Sequence, residues 1–134
     1  MNLISVRIIT ADVKRLTTFY QQITATSLTQ YTDDFVELKT AIGTLAIGST
    51  ATLAPFGGAS VAQAASNQSA IIEFRVDSVD GEYERLMNLL GNNVVQKPTT
   101  MPWGNRSLLF RDPDGNLVNF FTPVTPESLE KFDG

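Results

Sequence analysis

Few side chains in this sequence could carry chemistry, and the two residue types that most often do so are missing. The chain has no histidine and no cysteine. That removes the commonest general base, the thiolate nucleophile, every Ser-His or Cys-His pairing and the softer metal ligands. Carboxylates, arginines and aromatic rings remain. The stretch Ile71-Ile72-Glu73-Phe74-Arg75-Val76 alternates. As a strand it turns Ile72, Phe74 and Val76 to one side and Ile71, Glu73 and Arg75 to the other. Near the start, Ile4, Val6 and Ile8 alternate with Ser5, Arg7 and Ile9 in the same manner. Glu73 is the carboxylate best placed to act as a general base, and no second carboxylate is placed to work with it. Arg7 or Arg75 could hold the anionic group of a ligand. The plainer alternative is an Arg7–Glu73 ion pair, which would do little more than offset its own desolvation.

Two aromatic residues complete the candidates. Trp103, the only tryptophan, lies in Met101-Pro102-Trp103-Gly104-Asn105, a loop composition. There it either packs at a rim or presents a flat face for stacking. Phe56 lies at the start of an Ala/Gly/Ser-rich stretch that shows neither a helical nor a strand period. Such a stretch is a linker between modules or a lid whose aromatic residue closes over a ligand.

The elements that must position these residues repeat. A strand over Ile4 to Thr10 leads into a helix capped by Asp12, with Val13, Leu16, Phe19, Tyr20 and Ile23 on one face. A hairpin follows, Phe35 to Lys39 and Thr44 to Gly48, turning at Ala41-Ile42-Gly43. The second half opens with a strand over Ala70 to Val76. Its helix runs from Ser78 to Leu90, with Val79, Tyr83, Leu86 and Leu90 inward, and ends at Gly91-Asn92. Val94 to Pro98 reads as an edge strand. Ser107 to Phe110 and Leu117 to Phe121 then flank Asp112-Pro113-Asp114-Gly115, a turn in which proline presets φ and glycine accepts φ > 0. The sequence predicts two copies of β-α-β-β-β. The first module spans 1–50, a linker or lid 51–69, the second module 70–123, and a helix and tail 124–134. In the last of these, Thr125 caps, Pro126 takes the first helical position, and Leu129 and Phe132 pack on the surface or on a second subunit.

The closing Arg111-Asp112-Pro113-Asp114-Gly115-Asn116-Leu117-Val118 of a βαβββ repeat resembles the vicinal oxygen chelate superfamily, which includes glyoxalase I, extradiol dioxygenases, fosfomycin resistance proteins and bleomycin-binding proteins. Val6 to Val13 with Phe19-Tyr20, and Ile72 to Asp80, are similar to the first strand and helix of its two modules. The resemblance runs from about Leu3 to Pro123. It implies an α+β fold in which two tandem βαβββ modules form a curved, mostly antiparallel sheet around a cavity, with helices outside. Enzymes of the superfamily bind a divalent metal through His, Glu or Gln from the first and last strand of each module. By strand offsets those positions fall here on Ser5, Ile47, Ile71 and Asn119, of which two are aliphatic and none is a strong ligand. The expectation is therefore no metal and no cofactor. The cavity floor would be Ser5, Ile47, Ile71 and Asn119, with Arg7, Glu73 and Arg75 deeper or across and Trp103 and Phe56 at the rim. Pro102-Trp103-Gly104 resembles a segment bordering the pocket in the bleomycin-binding branch, whose members hold a drug, commonly between two subunits. The resemblance thus implies a homodimer that binds or sequesters a small molecule. The alternative is an enzyme of the same superfamily, of lyase, isomerase or dioxygenase type, working without the usual metal site and using Glu73. A third reading is a structural or regulatory partner with a vestigial cavity.

Composition sets the remaining bounds. The 134 residues fit one compact domain or two small modules. The net charge of −4 and the absence of a basic run disfavour nucleic acid and anionic membranes as partners. No basic-then-apolar leader and no run of membrane-spanning length is present, so the cytoplasm is the expected location.

Overall fold

The computed structural model describes residues 1–134. In chain order the elements are β1 (Ser5–Thr10), α1 (Val13–Thr24), β2 (Thr29–Thr32), β3 (Phe35–Lys39) and β4 (Thr44–Ser49), then a 3-10 helix (Thr50–Phe56). The second half comprises β5 (Ile71–Arg75), α2 (Val79–Leu90), a short 3-10 turn (Gly91–Asn93), β6 (Val94–Thr100), β7 (Asn105–Arg111), β8 (Leu117–Pro123) and α3 (Pro126–Asp133). The fold is α+β, with two tandem βαβββ modules. The strands form two four-stranded sheets, β1-β4-β3-β2 and β5-β8-β7-β6, one in each module. In each, the first strand of the module pairs parallel with the last, and the other pairings are antiparallel. β1 and β5 are each an edge strand of their sheet. The chain divides into two compact units, Met1–Asn67 with Pro113–Gly115, and Gln68–Asp112 with Asn116–Gly134.

In the first unit, Asp12 accepts a hydrogen bond from the Arg15 amide (3.0 Å) and so starts α1. Leu16, Phe19, Tyr20 and Ile23 are its buried stripe, packed on β3 and β4. Register shows which strand residues they meet. Val36 pairs with Ile47 and Ile47 with Ile8, while Leu38 pairs with Leu45 and Leu45 with Val6. Cross-strand partners share a face, so these rows are the helix side. Val6 shares that face yet stays exposed, because α1 lies over β3 and β4 and not over the edge strand. The opposite face carries Ser5, Arg7 and Ile9 beside Thr44, Ala46 and Gly48, with Glu37 and Phe35 beyond.

The second unit repeats this plan. Ser78 caps α2 by accepting from the Gly81 amide (3.1 Å), and Asp80 and Glu82 suit the positive end of the helix dipole. Val79, Leu86 and Leu90 are buried and Tyr83 half-buried. They cover the rows Ile72–Val118–Phe110 and Phe74–Phe120–Leu108. Pro98 is tolerated because β6 is an edge strand whose pairing is irregular between Gln96 and Thr99. The predicted turn is held by side chains: the Asn116 amide and its Nδ2 donate to Asp112 Oδ1 and Oδ2 at 2.9 and 2.8 Å. Gly115 takes φ +84° there.

Candidate functional site

The chemistry-bearing side chains lie on the sheet faces that α1 and α2 leave uncovered. In the first unit that face is floored by small residues. Ala46 sits between Arg7 and Glu37, and Gly48 sits between Ile9 and Phe35. A Cβ on Gly48 would come within 3.2 Å of Arg7 Cδ and 2.9 Å of Thr52 Oγ1, so the glycine makes room for the arginine stem. The Arg7 guanidinium lies over two rings, with Cζ 4.9 Å from the centre of Phe35 and 5.7 Å from that of Phe56. Phe56 reaches this position because the stretch read as a linker or lid opens with a 3-10 helix, Thr50–Phe56. Ser49 caps that helix, and Gly57 ends it at φ +118°. Phe56 itself is 62% exposed. Ser5 stands exposed at the start of β1, beside Thr44. A separate shallow cavity of about 610 Å³ lies against the same 3-10 helix, lined by Thr50, Leu53, Ala59, Ser60, Ala62, Gln63 and Ala64.

Ile47 does not belong with these residues. It is 0% exposed and sits in the helix-side row between Ile8 and Val36. Leu45, Ala46 and Ile47 are all apolar, so hydrophobic alternation cannot decide which of them faces α1. The register does decide, and Ala46 takes the position assigned to Ile47. Ile47→Ala is accordingly expected to cost about 3 kcal/mol of stability, as a buried core truncation does. A cavity-floor residue would cost far less, and urea unfolding monitored by circular dichroism distinguishes the two.

In the second unit, Glu73 and Asn119 are cross-strand neighbours, and Asn119 Nδ2 donates to Glu73 Oε2 at 2.9 Å. The carboxylate therefore sets the amide orientation. Asn119 is 8% exposed and its Oδ1 accepts nothing. Glu73 itself is exposed, as is Ile71 beside Leu117. Within its own unit each of the two side chains has a neighbour, two aromatic rings for Arg7 and the Asn119 amide for Glu73. Trp103 is 65% exposed at the tip of the loop joining β6 and β7.

Arg75 is occupied. Its Nη1 and Nη2 donate to Asp133 Oδ1 and Oδ2 at 2.7 and 2.9 Å. Its guanidinium also lies 5.8 Å from the Phe132 ring, which packs against Phe121 at 5.3 Å. This clasp holds α3 on the uncovered face of the sheet. No local pattern announces it, since Arg75 and Asp133 are far apart in sequence. The hydrogen bonds from Arg75 hold the Asp133 carboxyl below its ordinary value of 3.8. A carboxyl lowered on folding adds stability above its unfolded pKa and loses it as pH falls through the folded one. Protection of the α3 amides from hydrogen exchange is therefore expected to fall as pH drops below the ordinary carboxylate range. The pair is exposed, so the effect is local and modest. In Asp133→Asn the pH dependence should disappear. If it persists unchanged, the clasp is not what holds α3.

The resemblance implies a divalent metal, which would need ligating side chains on these strands. At the first- and last-strand positions the first unit offers Ser5, Arg7 and Ala46, and the second offers Ile71, Glu73 and Asn119. A cationic guanidinium and a methyl group do not ligate a cation, and Glu73 with Asn119 supplies two neutral-or-anionic groups already bonded to each other. No group of three or more carboxylates converges anywhere in the chain. The residues do not fit a divalent metal.

Comparison with known proteins agrees with the architecture. Residues 2–120 match the family model of the Glyoxalase/Bleomycin resistance protein/Dioxygenase superfamily. Among solved structures, a conserved domain protein is 27% identical, with a TM-score of 0.71 over 92% of this chain and 99% of its own. A glyoxalase/bleomycin resistance protein/dioxygenase from Nocardioides is 20% identical, with a TM-score of 0.75 over 94% of this chain and 85% of its own. A family enzyme from Burkholderia phytofirmans PsJN is 17% identical, with a TM-score of 0.79 over 92% of this chain and 100% of its own. No curated protein matches significantly. The extent of the family match, together with the paired βαβββ modules, decides the assignment: the chain belongs to the glyoxalase/bleomycin resistance protein/dioxygenase superfamily.

Proposed function

We propose that this protein binds or sequesters a small organic molecule without a metal or other cofactor, as a cytoplasmic homodimer. The observation that carries the reading is the donor set on the uncovered sheet faces. Where metal-dependent relatives need ligating side chains, this chain has an arginine on an aromatic bed and a carboxylate steadied by an amide. Either group can orient an organic ligand over the apolar surface of its own unit. Exposed Trp103 and Ile71 are candidate stacking and packing partners. The dimer draws support from the apolar residues bared on and beside the edge strands, namely Leu3, Ile4, Val6 and Ile71, since an exposed apolar edge invites pairing. No helix is long and apolar enough to cross a membrane.

The test is a thermal-shift panel on protein purified without chelators, with metal content and mass in solution measured alongside. The expected result is sub-stoichiometric metal, no gain in melting temperature with Mn, Ni, Zn or Fe, a dimeric mass, and stabilisation by at least one organic compound. Stoichiometric metal, or a panel in which no compound binds, would overturn the reading. The exposed, amide-steadied carboxylate of Glu73 favours one second reading, an enzyme using it as a base. Turnover of a compound from the panel that vanishes in Glu73→Gln, with binding retained, would put that reading first.

A further inference from the structure

We infer that Arg7 anchors the carboxylate of a small organic acid, with Phe35 and Phe56 as the bed that holds the guanidinium in place; this rests on the protein being a small-molecule binder and names the class of molecule. Arg15, Arg75, Arg85 and Arg106 each meet a carboxylate of the chain. Arg7 meets two aromatic rings instead. Ring contact uses none of the guanidinium's hydrogen-bonding capacity, and its fork of N–H donors is what grips a carboxylate in two parallel hydrogen bonds.

The second unit supplies the template. Arg75 also lies on the first strand of its module, on the uncovered face, beneath a phenylalanine from the segment after the last strand. There the residue following Phe132 is Asp133, and its carboxylate takes both hydrogen bonds. In the first unit the residue following Phe56 is Gly57, which has no side chain to offer. Arg7 stands two positions earlier along its strand than Arg75 does, since register aligns Arg7 with Glu73. The arrangement of arginine under phenylalanine is shared, and the internal carboxylate is present in one unit only. An acid on the Arg7 face, Glu37, sits in the same row across Ala46 and meets Lys39 at 3.8 Å. Arg7 and Lys39 against Glu37 leave that face cationic although the chain as a whole is at −4.

Nuclear magnetic resonance of the full chain tests the inference through the arginine Nε–H signals and the phenylalanine ring protons. The probes are benzoate, phenylacetate and indole-3-acetate, each beside its uncharged amide. At least one acid is expected to shift the Arg7 Nε–H and the Phe35 and Phe56 rings saturably, while its amide does not. Arg7→Gln should raise the dissociation constant of that acid by about tenfold or more, and Arg7→Lys, which keeps the charge but loses the fork, should fall between. The inference is overturned if no acid saturates, if an amide binds as its acid does, or if Arg7→Gln binds as the wild type does. Arg7 is exposed, so the variants are expected to melt as the wild type does; should Arg7→Gln melt early, Arg7→Lys carries the comparison. Neutral compounds that stabilise the wild type and Arg7→Gln alike would preserve small-molecule binding and end the carboxylate assignment alone.

Discussion

Phe120→Ala is expected to lower the unfolding free energy by about 4 kcal/mol, the range for truncating a buried aromatic side chain. Phe120 is 1% exposed on β8. It meets Phe110 edge-on at 5.1 Å and Phe74 edge-on at 5.7 Å, so one ring ties three strands of the second sheet together beneath α2. Removing it forfeits the transfer free energy of the ring. It also opens a void that neighbours held in cross-strand register cannot fill, and it removes two aromatic contacts worth about 1 kcal/mol each beyond their area. Equilibrium urea unfolding followed by circular dichroism measures the difference. A loss under about 1 kcal/mol would mean that Phe120 does not face α2 and that the assignment of the two faces of this sheet is reversed. Glu73, Asn119 and Arg75 would then lie beneath α2, because the same register puts them on the face opposite Phe120.

That dependence shows which parts of the molecule can be read from a sequence. The turn Asp112-Pro113-Asp114-Gly115 and the two helix stripes are local patterns. Each is dictated within a few residues by dihedral preference or a period of 3.6, and each stands where the pattern puts it. β2 has no such pattern. Thr29, Gln30, Tyr31 and Thr32 are all exposed, so no alternation marks the strand. The 3-10 helix at Thr50–Phe56 is too short to build a period and carries Pro55. At the site, the residues on β1 and β5 were legible because apolar and polar side chains alternate there. Ile47 escapes a reading by alternation because three apolar residues in a row erase the pattern, and only pairing with β1 and β3 restores it. The partners were not legible at all. Asp133 for Arg75 and the two rings for Arg7 are brought together by the chain path after each last strand, which no nearby residue encodes.

Gly104→Ala should be about as damaging as the loss of Phe120, and for a different reason. Gly104 is buried at the end of the Trp103 loop with φ +94°, in the region that disfavours any side chain. A Cβ built there would stand 2.0 Å from Thr125 Oγ1 and 3.1 Å from Ser128 Cβ and Oγ. Thr125 cannot move aside cheaply, because it caps α3: its hydroxyl accepts from the Ser128 amide, and the Ser128 hydroxyl accepts from the Thr125 amide in return. The Gly104 carbonyl is a further anchor, accepting from the Val124 amide at 2.9 Å and from Ser128 Oγ at 2.8 Å. The three costs are loss of the cap at about 1 kcal/mol, backbone strain of about 1–2 kcal/mol, and displacement of packed neighbours of about 1 kcal/mol, together about 3–4 kcal/mol. The damage should also be localised: hydrogen exchange in α3 and the environment of the Trp103 indole should change before the β7–β8 ladder does. A Gly104→Ala variant with wild-type stability would show that the close approach of this loop to α3 is absent in solution. The face that α3 covers around Arg75 and Phe121 would then have to be counted as open, and Arg75 would join Arg7 as a second arginine available to a ligand.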